Sequence, residues 1–373
     1  MGMIDPVTMI PARVLDCLDM IDSIIDFAKD EDVDLIIFAG DAFHRYNPNP
    51  LYMSEFAKRV VAMRKQCPVV LLVGNHDLSP KTSSVEIYQS LQLDGIVVGN
   101  TYAVHKIQTK SGIVQVATAP YPTKQQRPTF LDAIFNLGDE ITDEGLAILV
   151  GHFTVSGSQL GSERGFMLGV DAEVPLELLS DEVWDYVALG HIHYHQCLNE
   201  HPPVVYSGAP DRVTFNEEKD AKGFVFIETV NDNLTWEFIE LDARPYVTVE
   251  VSTLKSDPMP KIIAAIESAD LSRAVVRILI KVKERFVKLV DRKAIMALLD
   301  KSGMFSLSSL VISNIKAERD ERIDPEKFNI TKTHGELLVA YFENTGITGK
   351  ELAQAMKTAG NIMDEVDSND SLK

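Results

Sequence analysis

Apolar positions along this chain recur in two rhythms. Over residues 11–30, Val14, Leu15, Leu18, Ile21, Ile24, Ile25 and Ala28 fall at three- and four-residue steps, which predicts an amphipathic helix with one core face. The second rhythm is a short unbroken apolar run, found at 35–39, 69–73, 146–150 and 186–189. Continuous runs of this length, rich in Val, Ile and Leu, predict strands buried on both faces. All four end alike, with a glycine and then Asp, Asn or His: Gly40-Asp41, Gly74-Asn75-His76-Asp77, Gly151-His152 and Gly190-His191-Ile192-His193. Loops at the C-terminal ends of parallel strands are where α/β proteins place their chemistry.

The remaining pattern fills in an α/β order. Helices are expected at 51–66, 83–91, 130–137 and 176–180, and shorter strands at 95–98, 103–107, 114–117, 204–210, 223–229 and 234–241. Helices interleaved with these strands predict two sheets with helices outside, a four-layer αββα sandwich. One position breaks the alternation. The first helix precedes its strand, and the ten or so residues before it contain two prolines and no apolar run, so a strand expected at the front is not in the sequence.

The composition shifts at Arg244-Pro245. From there the pattern reads strand 246–251, helix 260–268, strand 274–282, helix 292–299 and strand 307–315, the make-up of a small α+β capping domain. Two amphipathic helices, 336–342 and 349–366, follow. The expected division is 1–243, 244–330 and 331–373. Residues 156–169, rich in Gly and Ser, read as a mobile loop beside the strand ends.

Bulk properties narrow the function. The 373 residues are 45% hydrophobic and 24% charged, ordinary for a globular protein. No apolar run approaches the roughly 20 residues that span a bilayer. The N-terminus lacks a signal peptide pattern, and Pro6 stands where a myristoylation motif wants Ser or Thr. The expected location is therefore cytoplasmic. Cys17, Cys67 and Cys197 share no metal-type spacing, and the first two read as buried free thiols. The net charge of −19 argues against a protein that coats nucleic acid by electrostatics. It leaves a nuclease open, because bound divalent ions supply positive charge where a phosphate must sit.

The strand ends carry a donor set suited to such ions. A dinuclear centre needs a bridging carboxylate, imidazoles and a neutral oxygen, and two ions roughly 3.5–4 Å apart hold both oxygens of a phosphoryl displacement. Asp41 suits the bridge, Asn75 the neutral oxygen, and His152, His191 and His193 the imidazoles. In extended chain, residues 191 and 193 would face one side. His76 would point away from Asn75 and fits the group that steadies the transition state or protonates the leaving oxygen. Asp77 is expected to hold an imidazole from behind, and His44 to reach the scissile phosphate. A single Gly-His after a strand is more often a satisfied core or loop histidine, the reading kept for His105, His195, His201 and His334. Joint occurrence decides the others, since five of the nine histidines lie in these segments.

These segments resemble the calcineurin-like metallophosphoesterases, with their Gly-Asp, Gly-Asn-His-Asp, Gly-His and Gly-His-Xaa-His motifs. Within them the chain looks like the SbcD-type DNA double-strand-break repair nucleases. Gly40-Asp41-Ala42-Phe43-His44 with Asn47-Pro48-Asn49-Pro50, Tyr206-Ser207-Gly208-Ala209, Phe215-Asn216-Glu217-Glu218, Lys222-Gly223-Phe224 and Arg244-Pro245-Tyr246-Val247 carry that likeness. The resemblance implies that Asp41 bridges two Mn²⁺ ions, that Asn75, His152 and His191 hold one, and that His193 helps hold the other. It implies His76 as the catalytic histidine, with His44 auxiliary. It further implies hydrolysis of phosphodiester bonds in DNA (double-strand ends, hairpins) by metal-activated water. The partners it implies are an SMC-like ATPase of the SbcC type, docked by the helices from 336 onward, and a second copy in a homodimer near the nucleoid.

The family's first motif, Asp-Xaa-His after a strand, is absent, in agreement with the strand expected at the front. The second ion would then keep only Asp41 and His193 as evident ligands, leaving one ion in this chain. The favoured explanation is a start codon placed too far downstream. Two other functions stay open: a truncated or non-catalytic scaffold of the same complex, and a metallophosphoesterase acting on small phosphoesters.

Overall fold

The computed structural model describes residues 4–79, 82–161, 172–231, 233–253 and 256–314, with positions 353, 354, 356 and 358. Helix α1 (Ala12–Asp30) precedes strand β1 (Ile36–Phe38), as the periodicity predicted. Helix α2 (Pro50–Gln66) leads to β2 (Val69–Leu72), and α3 (Glu86–Ser90) to β3 (Ile96–Gly99). Asn49 caps α2, its side-chain oxygen accepting from the Leu51 N–H at 2.9 Å, and Pro50 sits where its missing N–H costs nothing.

The three strands make a parallel sheet in the order β1-β2-β3. Before α1 lies a turn closed by Asp5, whose carboxylate accepts from the backbone N–H of Val7 and Thr8 at 3.0 and 2.7 Å. No strand precedes α1 among the described residues.

A second sheet has six strands. Strands β4 (Ala103–Gln108) and β5 (Ile113–Ala119) form a hairpin, and helix α4 (Phe130–Asp139) leads to β6 (Leu146–His152). After a two-stranded ribbon, β7 (Thr154–Val155) with β8 (Glu173–Val174), and helix α5 (Leu176–Leu179) comes β9 (Tyr186–Gly190). Strands β10 (Gln196–Glu200) and β11 (Pro203–Tyr206) complete the order β10-β11-β9-β6-β5-β4. The short β7, β8 and β10 carry no apolar alternation and were not legible as strands.

Alternation explains the layers. Val69, Leu71 and Val73 face one way, against Ile25 and Ala28 of α1 and Phe56, Val60 and Met63 of α2. Val70 and Leu72 face the other way, against Val116, Ile148, Val150, Tyr186 and Val205 of the six-stranded sheet. That sheet turns Ala117, Leu149, Val187, Leu189 and Tyr206 outward onto Phe130, Ile134 and Leu137 of α4 and Leu179 of α5. Helix, sheet, sheet and helix are therefore stacked in four layers, the expected sandwich. Both sheets are buried on both faces, which is why their strands read as unbroken apolar runs.

Beyond the second sheet, β12 (Gly223–Val230) and β13 (Asn233–Glu240) form a hairpin whose Val225, Ile227, Leu234 and Trp236 pack on the inter-sheet core. The segment after Arg244 contains β14 (Tyr246–Thr253), α6 (Met259–Ser268), β15 (Val275–Val282), α7 (Glu284–Val287), α8 (Arg292–Leu299) and β16 (Ser306–Asn314), with β15 central in a three-stranded sheet. The chain separates into two compact units, Met1–Glu250 with Ile263–Leu279 and Lys293–Val311, and Val251–Ile262 with Ile280–Arg292 and Ile312–Lys373. The expected helix at 336–342, all but positions 353, 354, 356 and 358 of the one at 349–366, most of the loop 156–169, and His334 lie outside the described residues.

Cys67 is buried as expected, but Cys17 lies on an exposed flank of α1, its thiol 3.3 Å from a carboxylate oxygen of Asp211. The helical rhythm put it one step off the core face. No helix among the described residues is long and apolar enough to cross a membrane.

Candidate metal centre

Asp41 follows β1, Asn75 follows β2, His152 ends β6 and His191 follows β9, so two sheets deliver their C-terminal ends to one place. Nε2 of His152 lies 3.2 Å from Oδ2 of Asp41 and 3.1 Å from Oδ1 of Asn75. Nδ1 of His191 is 3.0 Å from the same Asn75 oxygen. Ligand atoms of Asp41, His152 and His191 all lie within 4.8 Å of one another.

The glycines before these residues are packing requirements. A Cβ on Gly40 would stand 2.3 Å from Nδ1 of His152, and one on Gly74 would stand 2.1 Å from Oδ1 of Asp41. The side chains of the cluster occupy the space that any other residue would fill. Asp41 and His191 themselves adopt left-handed backbone, at φ +56° and +86°, a conformation uncommon for residues other than glycine.

The donor chemistry tests whether a cation fits. Nδ1 of His152 lies 2.6 Å from the carbonyl oxygen of Ala39, to which it donates its proton. Nε2 then offers a lone pair to two oxygens that also offer lone pairs. Such a group is satisfied by a cation or by a second proton on the ring. Burial opposes a charge on His152, but the neighbouring Asp41 carboxylate outweighs it and moves the imidazole pKa up. Burial likewise works to raise Asp41, yet His152 and His76 hold it at about 2. A carboxylate, an amide oxygen and two imidazoles form a mixed set of the kind that holds first-row divalent ions, so these residues fit a metal.

Asp77 is fully buried, and its work is structural. Its Oδ2 accepts from the backbone N–H of Asp41 at 2.8 Å and of Gly74 at 3.0 Å, while its Oδ1 accepts from the Ser84 hydroxyl at 2.8 Å. It thus ties the two strand ends together, where an imidazole partner was expected. The reason is local: two turns with outward N–H groups converge on one carboxylate.

His76 and His44 stand together at the surface. The backbone N–H of His76 donates to Oδ1 of Asp41 at 2.8 Å, its Nδ1 is 3.0 Å from the carbonyl of His44, and the two rings stack at 5.3 Å. With Nδ1 donating to that carbonyl, Nε2 is left to exchange a proton. Burial and the neighbouring His76 lower the pKa of His44.

His193 is not one of the residues whose ligand atoms gather with Asp41 within 4.8 Å. Because His191 is left-handed, the two-residue alternation of an extended chain does not hold here. Nδ1 of His193 instead lies 3.4 Å from Oε1 of Glu217, which is fully buried with Lys222; Nζ of Lys222 is 2.8 Å from Oε2 of Glu217 and 3.1 Å from the carbonyl of His193. Burial works against the Glu217 charge, but His193 and Lys222 hold its carboxyl far below the usual range. Glu217 and Lys222 stood in the sequence without an assigned role. Their one legible signal was a lysine inside an aromatic-rich segment, which can be buried only beside a carboxylate. Tyr121 was also missed. Its ring is 5.6 Å from that of His191 and 6.4 Å from that of His152. His105 bonds Thr118 and His195 stacks on Phe238 at 4.2 Å, both structural as expected.

Residues 14–195 match the calcineurin-like phosphoesterase family, a hydrolase fold that implies divalent metal binding. Within it the chain resembles the SbcD-type nucleases. It is similar to the SbcD subunit of the nuclease SbcCD of Bacillus subtilis (strain 168), 26% identical over 262 residues that cover 63% of this chain and 67% of that protein.

Proposed function

We propose that this chain is a metal-dependent DNA nuclease, the exonuclease and endonuclease subunit of an SbcCD-like repair complex. The observation that carries the reading is the meeting of Asp41, Asn75, His152 and His191 at the ends of strands from two sheets, in a chain similar to the SbcD subunit of an SbcCD nuclease. In this reading Asn75, His152 and His191 would hold one Mn²⁺ together with Asp41, and His193 would serve a second ion. Divalent ions held there supply Lewis acidity and lower the pKa of water.

The chain's own residues do the rest. His76 offers Nε2 to the phosphate or the leaving oxygen, its ring fixed by the His44 carbonyl, and His44 lines the path of the strand. The segment from 336 onward docks an SMC-like ATPase of the SbcC type. The protein works as a homodimer in the cytoplasm at the nucleoid.

The test is manganese-dependent digestion of linear duplex DNA, with and without an SMC-like ATPase. Digestion that falls about 10²–10⁴-fold in His76→Ser is expected, the usual worth of a positioned acid or base. No digestion under either condition, or full digestion by His76→Ser, sinks the reading.

A second reading has support of its own: among the described residues one metal-capable cluster is formed, and His193 is not in it. That favours a one-ion scaffold. Two tightly held ions per chain, counted by elemental analysis, would exclude it.

A further inference from the structure

Two residues past His44 the chain enters the wall of a pocket that the metal chemistry does not use. Its volume is about 620 Å³, within the range of sites that take small ligands. Tyr46, Pro48 and Met53 line it from the loop and helix after His44, and Ser83, Glu86 and Ile87 from the segment after Asp77. The pocket is fastened to the candidate metal centre. Ser84, which also lines it, donates its hydroxyl to Oδ1 of Asp77 at 2.8 Å and its backbone N–H to the Asp77 carbonyl at 2.9 Å. Asp77 in turn holds the backbone N–H groups of Asp41 and Gly74. A ligand bound here therefore rests on the same two turns that carry Asp41, His44, Asn75 and His76.

The lining selects the kind of ligand. Tyr46 and Ile87 keep 52% and 48% of their surface exposed, which leaves an aromatic and an aliphatic side chain in water at the rim. Oγ of Ser83 is buried and has no hydrogen-bond partner among the described residues, a costly state that a polar ligand edge relieves. No Lys or Arg stands among the described lining residues, and the one charged group is the Glu86 carboxylate, which accepts from the Ser83 N–H at 3.2 Å. Such a lining repels a phosphate and suits a flat neutral ring with polar edges. In a DNA strand that part is the base, and bases freed from their stack settle on aromatic side chains. We propose that this pocket receives an unstacked base of the strand whose phosphate lies at the metal centre, with Tyr46 stacking on the ring and Ser83 bonding its edge. The inference rests on the nuclease reading above and names what that site recognises beside the phosphate.

The test needs no metal. Deoxyadenosine and, separately, inorganic phosphate are titrated into metal-free protein labelled at its Met and Ile methyl groups, the NMR signals of Met53 and Ile87 being assigned by substitution. Deoxyadenosine should move both signals and phosphate neither. Tyr46→Ala should weaken deoxyadenosine about 5–150-fold, the worth of one base stacked on an aromatic side chain. Ser83→Ala should weaken it about 2–10-fold without lowering the melting temperature, because the lost hydroxyl had no partner in the free protein.

Signals that ignore deoxyadenosine, signals that phosphate moves equally, or undiminished affinity in Tyr46→Ala overturn the proposal. Signals that follow protein concentration and not deoxyadenosine give the face to a second copy of the chain, and overturn it too. Manganese-dependent digestion of DNA by the natural chain is read separately. Digestion without base binding overturns the pocket alone; base binding without digestion overturns the nuclease reading and leaves the pocket's choice of a base standing.

Discussion

Two polar clusters lie at the strand ends of this molecule, and they are built on opposite logic. In the Asp41–Asn75–His152–His191 cluster, the Nε2 lone pair of His152 meets the oxygens of Asp41 and Asn75, and Nδ1 of His191 lies against the same Asn75 oxygen. In the Glu217–Lys222–His193 cluster acceptors meet donors from the chain itself, an ammonium included. The first is completed from outside, by a cation or a proton. The second is closed as folded. A buried polar group thus shows by its balance of donors and acceptors whether it holds itself together or waits for a ligand.

The comparison can be broken from the closed side first. Glu217→Ala should cost about 3–5 kcal/mol of stability in urea unfolding, because it leaves the Lys222 ammonium buried without its main counter-charge. The neutral pair Glu217→Gln/Lys222→Met should recover most of that loss. Equal destabilisation by both would mean that the charges do not balance each other.

On the open side, Mn²⁺ at about a hundred times its dissociation constant should stabilise the protein by about 2.7 kcal/mol, read as a rise in melting temperature. Asp41→Ala should abolish the rise. A natural chain that melts identically with and without the ion would place its balance with a proton.

Gly74→Ala tests the cradle. Its methyl group would lie 2.1 Å from the Asp41 carboxylate, so the turn must shift; a stability loss of about 1–3 kcal/mol is expected, together with loss of the Mn²⁺-dependent rise. The smallest effect belongs to Ser84→Ala. It removes one hydroxyl from the buried Asp77 and should cost about 1.5 kcal/mol, while Asp77 keeps its backbone donors and the metal response survives. Loss of the response there would show that Asp77 sets the cluster's geometry through Ser84.

Much of this could be read along the chain. Continuous apolar runs mark strands covered on both faces, and both sheets are so covered. Glycine before each polar residue reflects a real steric demand, met where His152 and Asp41 lie against Gly40 and Gly74. Other features were hidden because they depend on exceptions to local rules. The extended-chain argument put His193 and His191 on one side, and the left-handed backbone at His191 breaks the strict alternation on which that argument rests. Asp77 read as a partner for histidine, yet the convergence of two turns made it a backbone anchor. Strands β7, β8 and β10 take their form from neighbours, with no apolar pattern of their own.

The amino-acid sequence by itself determined the elements, the sandwich and the residue types at the strand ends, since periodicity and glycine placement act over a few residues. Only the tertiary structure decided which of those residues meet, because Asp41 and His191 lie 150 positions apart in the chain and join through the stacking of two sheets. It alone also showed that His193 meets Glu217 and Lys222. That pairing depends on which donors and acceptors are left facing each other once water has been removed, and no local pattern encodes it.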